Sequence, residues 1–157
     1  MDPEARLEEL GIELPPAAPP VASYVPVVVS GAFAFVAGQV PLRDGSPMVT
    51  GRLGDGVDVE VGQSAARQCA LQALAALRAE LGSLSRVRRI VRVGVFVASA
   101  PGFTDQPKVA NGASDLFVEV FGEEGRHARA AVGVAELPLG VPVEVDLVAE
   151  VAAADRS

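Results

Sequence analysis

Tryptophan is absent from the 157 residues, and cysteine, histidine and tyrosine each occur once. One Cys excludes a disulfide framework within the chain and a zinc site built on cysteines, and one His excludes a His-rich metal site. Aromatics make up 4% although half of the residues are hydrophobic, so the apolar mass is aliphatic and mostly small. Positive charge is also scarce, with 13 Lys and Arg against 20 acids and a formal net charge of -7. That balance disfavours work on nucleic acid or an anionic membrane, where a basic surface supplies much of the affinity. No apolar run reaches the roughly eighteen residues that span a bilayer. The opening MDPEARLEEL is acidic where a secretory signal is basic and then apolar. A cytosolic protein with no membrane and no nucleic-acid partner is expected.

Valine is abundant, at 26 positions. Its stiff, branched side chain favours strands, so a sheet is expected. A mass of 16.1 kDa suffices for one domain with a core and not for two, and a mean hydropathy of +0.34 excludes a disordered chain.

Pro3 to Leu10 reads as a short helix, and the Pro/Ala-rich stretch Leu14 to Pro20 cannot continue it. Residues 1–20 are therefore a lead-in and residues 21–157 a single domain. Val21 to Val29 and Phe33 to Val40 read as strands joined by a Ser30-Gly31 turn. A glycine-rich loop follows from Gly45 to Gly62, interrupted by Met48-Val49, a candidate third short strand. Gly62 to Leu81 is the clearest helix, because Ala66, Ala70, Leu74, Leu77 and Leu81 recur at three and four and Gly82 stands at its end. Val87 to Val97 is strongly β, with Val91, Val93, Val95 and Val97 on one face. Val109 to Phe121 reads as a second helix, and strands His127 to Val134 and Val141 to Val151 close the domain. The order β-β-(β)-α-β-α-β-β implies an α+β fold, two helices packed on one face of one mixed sheet.

The last two strands carry the chemistry. Alternation puts His127, Arg129, Ala131 and Gly133 on one face of the first, and Glu144 and Asp146 on one face of the second. If the apolar faces lie under the helices, Arg129 and Glu144 share the opposite surface. An arginine among small residues suits bidentate capture of a carboxylate. The competing reading is a structural Arg129–Glu144 ion pair.

Four segments resemble the YjgF/RidA family, also called the L-PSP endoribonuclease family. They are Tyr24 in VASYVPVV, Gly38-Gln39-Val40-Pro41, Asn111 opening the second helix, and the specific stretch ARAAVGVAELPLGVPVEVDLVAEV from Ala128 to Val151. The resemblance implies a chorismate-mutase-like α+β fold assembled as a homotrimer, with clefts between subunits. It also implies a deaminase that hydrolyses enamine/imine acids of the 2-aminoacrylate type to 2-keto acids and ammonia, without metal or organic cofactor. Carried over by position, Arg129 matches the arginine that grips the substrate carboxylate and Glu144 the acid that orients water. Tyr24, near the rim, and Asn111 match cleft residues, with simple aromatic packing the alternative for Tyr24 and helix capping the alternative for Asn111. Two positions depart from the family: Ala131 stands where Cys is common, leaving only its backbone N–H for the substrate, and Ala37 replaces a frequent Ser. Two other classes therefore stay open, a non-catalytic trimer binding small carboxylate metabolites and an endoribonuclease or translation inhibitor.

Other residues read as structural. Cys69 lies within the first long helix as a packed thiol. His127 shares a face with Arg129, so it either lines the cleft or bonds at a strand end. Arg86, Arg88, Arg89 and Arg92 form the only basic cluster, read as a solvated or ion-paired edge rather than an RNA-binding patch.

Overall fold

The computed structural model describes residues 2–19 and 22–154. Helix α1 spans Pro3–Leu10, with Asp2 accepting from the Ala5 N–H and Gly11 closing the last turn. It is followed by β1 (Val27–Ser30) and β2 (Phe33–Gln39), an antiparallel hairpin with Gly31 at φ +60. The first strand is thus shorter than the expected span from Val21, a residue that lies outside those described. Pro26 has no N–H to give a ladder, and its carbonyl takes the Ala37 N–H before regular pairing begins.

Met48-Val49 is not a strand. The pairing is between β3 (Leu42–Arg43) and β4 (Ser46–Pro47). Between them Asp44 (φ 52) and Gly45 (φ 79) both sit at positive φ, the requirement of a tight two-residue hairpin turn that Asp-Gly meets. A second small pairing, parallel, joins β5 (Arg52–Leu53) to β6 (Gly56–Val57).

Helix α2 runs Val59–Leu81, three residues earlier than the expected start at Gly62, because Asp58 caps it by accepting from the Val61 N–H at 2.9 Å. Its stripe of Ala66, Ala70, Leu74, Leu77 and Leu81 is buried as the spacing requires. Strand β7 (Val87–Ala98) carries irregularities between Val87 and Arg89 and between Ile90 and Arg92. The second moves the buried register, so Ile90 rather than Val91 joins Val93, Val95 and Val97 in the core. Helix α3 spans Gln106–Phe121, again longer at its start, with Pro107 in the first turn where a missing N–H costs nothing. Strands β8 (Ala128–Val134) and β9 (Val143–Val151) complete the chain.

The main sheet has the order β1-β2-β9-β7-β8, antiparallel except for the parallel pair β7–β8, whose crossover is α3. Leu147, Val145 and Val143 of β9 and Val93, Val95 and Val97 of β7 are buried with α2 and α3. The helices approach closely: a Cβ on Gly112 would overlap the Gln63 backbone. The sheet's other face carries Val28, Phe35, Phe96, Val132, Glu144 and Asp146, and no helix among the described residues covers it. This is the expected α+β layering of two helices on one mixed sheet, with α1 added beside α3.

Candidate functional site

β8 ends one side of the sheet, so its outer edge is unpaired among the described residues. The Val134 carbonyl accepts from the Ser99 N–H at 3.0 Å, next to the last residue of β7. Main-chain groups of successive strand residues alternate between the two flanks, so residues 128, 130 and 132 also bond toward β7. The N–H groups of Arg129, Ala131 and Gly133 therefore face the free edge.

The face assignment drawn from the sequence is inverted for this strand. Arg129 pairs in register with Val93 and Ala131 with Val95, both core residues, so the Arg129 side chain lies on the helix side. Small residues explain this, since Ala131 and Gly133 leave room for α3 to reach the edge strand. Glu144 pairs in register with the half-buried Phe96 and faces the other way. Arg129 and Glu144 of one chain are thus on opposite surfaces of the sheet, which removes the ion-pair reading.

The Arg129 guanidinium rests on the start of α3. Nη1 donates to Asn111 Oδ1 at 2.9 Å and to Ser114 Oγ at 3.0 Å, and Nη2 donates to the Pro107 carbonyl at 3.4 Å. All three partners are neutral, and among the described residues no carboxylate pairs with Arg129. Nε–H and one Nη2–H have no partner there. These two nitrogens form the side of the fork that receives a carboxylate bidentately. Asn111 is not a cap, because α3 begins five residues before it. It sits in the second turn, one helical step from Ser114 on the same face.

Behind Ser114 stands His127. Ser114 Oγ lies 2.8 Å from His127 Nε2, and His127 Nδ1 lies 2.7 Å from the Gly125 carbonyl. The ring meets Phe117 edge to face at 5.8 Å. Burial, with a smaller push from the Arg129 charge, holds His127 below its usual pKa against the opposing Gly125 hydrogen bond.

On the other face the Glu144 carboxyl lies over Gly38, where a Cβ would come within 2.9 Å of Cδ. Burial and then the Asp146 charge raise its pKa above the ordinary glutamate value. Tyr24 is 57% exposed just ahead of β1, at the sheet edge opposite β8. One chain therefore brings together Arg129, Asn111 and the Ala131 N–H, and holds Glu144 and Tyr24 apart from them. Two surface hollows of about 470 and 450 Å³ lie around Phe103 and around Gly140, and neither is lined by any of these five residues. Gly38 stood in the Gly-Gln-Val-Pro motif without a role, and Ser114 was not singled out, although its spacing of three from Asn111 is the signal for it.

The residues read as structural behave so. Cys69 is buried, its Sγ is 3.8 Å from the Val143 carbonyl, and burial followed by the Glu144 charge pushes its thiol well above the usual pKa. Arg86 bonds the Ala152 and Leu81 carbonyls and Arg89 the Arg126 carbonyl, while Arg88 and Arg92 are exposed, so the edge expected to be solvated or ion-paired is part solvated and part bonded to main chain. No helix among the described residues is long and apolar enough to cross a membrane.

The family model described as "YjgF/chorismate_mutase-like, putative endoribonuclease" matches residues 4–151. The chain belongs to the YjgF family. A curated relative, protein TCP17 of Trypanosoma cruzi, is 55% identical over 93% of this chain and 92% of its own length. A solved structure from Shewanella oneidensis MR-1 with the same endoribonuclease description is 36% identical, with a TM-score of 0.91 over 96% of this chain and all (100%) of that one. TdcF of E. coli, solved with bound serine, is 25% identical, with a TM-score of 0.59 over 87% of this chain and 93% of its own. The YjgF fold is therefore shared along nearly the whole chain, including α1.

Proposed function

We propose that this YjgF-family chain is an imine deaminase that hydrolyses 2-imino acids to 2-keto acids and ammonia in clefts between copies of a homotrimer. The observation that carries the reading is the open Nε–H and spare Nη2–H of Arg129, whose remaining donors are held by neutral partners, at a sheet edge beside the Ala131 N–H. A cation prepared in this way, in a chain of net charge -7, is matched to a small carboxylate. The serine bound to TdcF, a small molecule with a carboxylate, is consistent with such a ligand.

Glu144 and Tyr24 enter such a site from another copy. The helix-free face that holds Glu144 exposes Val28, Phe33, Phe35 and Val132, an apolar surface of the kind that sister subunits cover. In the reaction, Arg129 fixes the carboxylate and the Ala131 N–H steadies the neighbouring polar end. Glu144 of the adjacent copy takes a proton from water as its oxygen bonds to the imine carbon. That proton passes to nitrogen to give a carbinolamine; the hydroxyl proton then moves through the same carboxylate to nitrogen as the C–N bond breaks and the carbonyl forms, so ammonia leaves and a keto acid remains. The raised pKa of Glu144 makes it a stronger base than an ordinary glutamate. An imine carbon is already electrophilic, so no nucleophilic side chain is needed.

Ammonia release from freshly generated 2-iminopropionate tests the proposal. Wild type accelerates it and Arg129→Ala loses the acceleration while remaining a trimer by light scattering. Keto-acid binding without ammonia release by wild type would establish the non-catalytic carboxylate binder instead. Salt-sensitive RNA binding would favour the endoribonuclease reading.

A further inference from the structure

His127 and Ser114 are absorbed by neither the carboxylate fork nor the water-activating acid, yet they form a directional chain that ends on Arg129. A carbonyl oxygen only accepts, so the 2.7 Å contact with Gly125 requires the proton of a neutral His127 on Nδ1. Nε2 is then an acceptor, and the only hydrogen available along the 2.8 Å contact is that of the Ser114 hydroxyl. With its own hydrogen turned toward the ring, Ser114 Oγ presents lone pairs to Arg129 Nη1 at 3.0 Å. Each bond in the chain fixes the sense of the next.

The direction matters because Nη1 is satisfied completely, by Ser114 and Asn111, while Nε and part of Nη2 are not. A guanidinium held this way cannot rotate about its long stem without losing two hydrogen bonds, so its open side keeps one orientation. An arginine left free would lose rotamer freedom on capturing an anion; here much of that cost is met before the ligand arrives. The groups around the ring are consistent with a neutral state: Phe117 of α3 packs on it edge to face, and Arg129 of β8 is the charged group that acts on it.

We propose that Ser114 and the neutral Nδ1–H tautomer of His127 are positioning residues that preorient Arg129 for a 2-keto or 2-imino carboxylate. This rests on the carboxylate reading of Arg129 given above and adds to it the device that sets the fork.

The experiment joins two measurements on the full chain. The chain contains a single His, so nitrogen-15 NMR of the imidazole reads one residue without assignment, and at neutral pH it should show Nδ1 protonated and Nε2 bare. Calorimetric binding of 2-oxobutyrate should weaken about five-fold to ten-fold in Ser114→Ala and in His127→Phe, the scale of one lost hydrogen bond. Ser114→Thr restores the hydroxyl, and His127→Gln places a neutral acceptor near the Nε2 position, so both should recover most of the affinity. In an Arg129→Ala background, Ser114→Ala should change nothing further. A general packing role would give no rescue by hydroxyl or acceptor and no dependence on Arg129. An Nε2–H tautomer, or a wild type and Ser114→Ala that bind 2-oxobutyrate equally well, overturns the relay alone. A wild type that binds no 2-oxobutyrate overturns the carboxylate reading and the relay with it.

Discussion

Gly38→Ala isolates the placement of Glu144 from its chemistry. Gly38 has no positive φ, so alanine fits its backbone without strain. The added Cβ would stand 2.9 Å from Glu144 Cδ, 3.0 Å from Oε2 and 3.3 Å from Cγ, where ordinary contact begins at 3.4 Å. The carboxyl must therefore retreat by about half an ångström or swing aside, which a side chain of this length does at little cost to folding. Catalytic geometry is less forgiving, since a misplacement of about 1 Å costs about a hundred-fold. The expected result is a fall in kcat for 2-iminopropionate of about ten-fold, with 2-oxobutyrate affinity within about two-fold of wild type, because Arg129 is untouched. Stopped-flow ammonia release, calorimetry and light scattering on the same preparation separate these quantities. An unchanged kcat in a trimeric, folded variant would refute the assignment of water activation to Glu144 in its position over Gly38.

Glu144→Gln links function to stability through pH. Burial and Asp146 raise the folded pKa of Glu144 above its unfolded value, so the folded state binds the proton more tightly. Its contribution to stability therefore falls as pH rises from the ordinary glutamate range through the raised folded value. Glu144→Gln should unfold at a higher urea midpoint than wild type at pH 7, with the gap closing below the ordinary glutamate pKa; a lower midpoint at pH 7 contradicts the sign. The same titration predicts that wild-type ammonia release declines on the acid side at a pH above that of an ordinary glutamate. Gly112→Ala tests the packing beneath the site. Alanine gains about 1 kcal/mol of helix propensity over glycine, but its Cβ would overlap the Gln63 backbone, which cannot move as a side-chain tip would. Steric overlap should win, with a net loss of about 1 to 3 kcal/mol in urea unfolding; a stabilised variant would show that α2 and α3 separate freely.

Periodicity made the long elements legible. The Ala66 to Leu81 stripe and the two closing strands appear close to where spacing puts them, and the valine alternation of β7 holds from Val93 to Val97, with Ile90 taking the place of Val91. Their beginnings were harder, because they depend on single side chains: Asp58 starts α2 by capping, and Pro107 is absorbed into α3 as a first-turn residue. The Asp44-Gly45 turn, which sets the β3–β4 hairpin, is a local signal that the apolar Met48-Val49 pair obscured. Alternation grouped His127, Arg129 and Ala131 correctly but could not say which surface they occupy. That choice belongs to α3, whose Asn111 and Ser114 draw Arg129 to the helix side, and a reading of polar residues as outward-facing fails at such an edge. The relation between Arg129 and Glu144 is likewise not local, since the sheet separates them in one chain and the proposed site needs a second copy to unite them.

A crystal structure of the protein soaked with 2-oxobutyrate reads the role of Arg129 at its own atoms. The carboxylate is expected bidentate on Arg129 Nε and Nη2 at a boundary between copies, with the Ala131 N–H in contact and Glu144 of the adjacent copy facing the keto carbon. A ligand bound elsewhere, or an Arg129 fork occupied by a carboxylate of the protein itself, would contradict it.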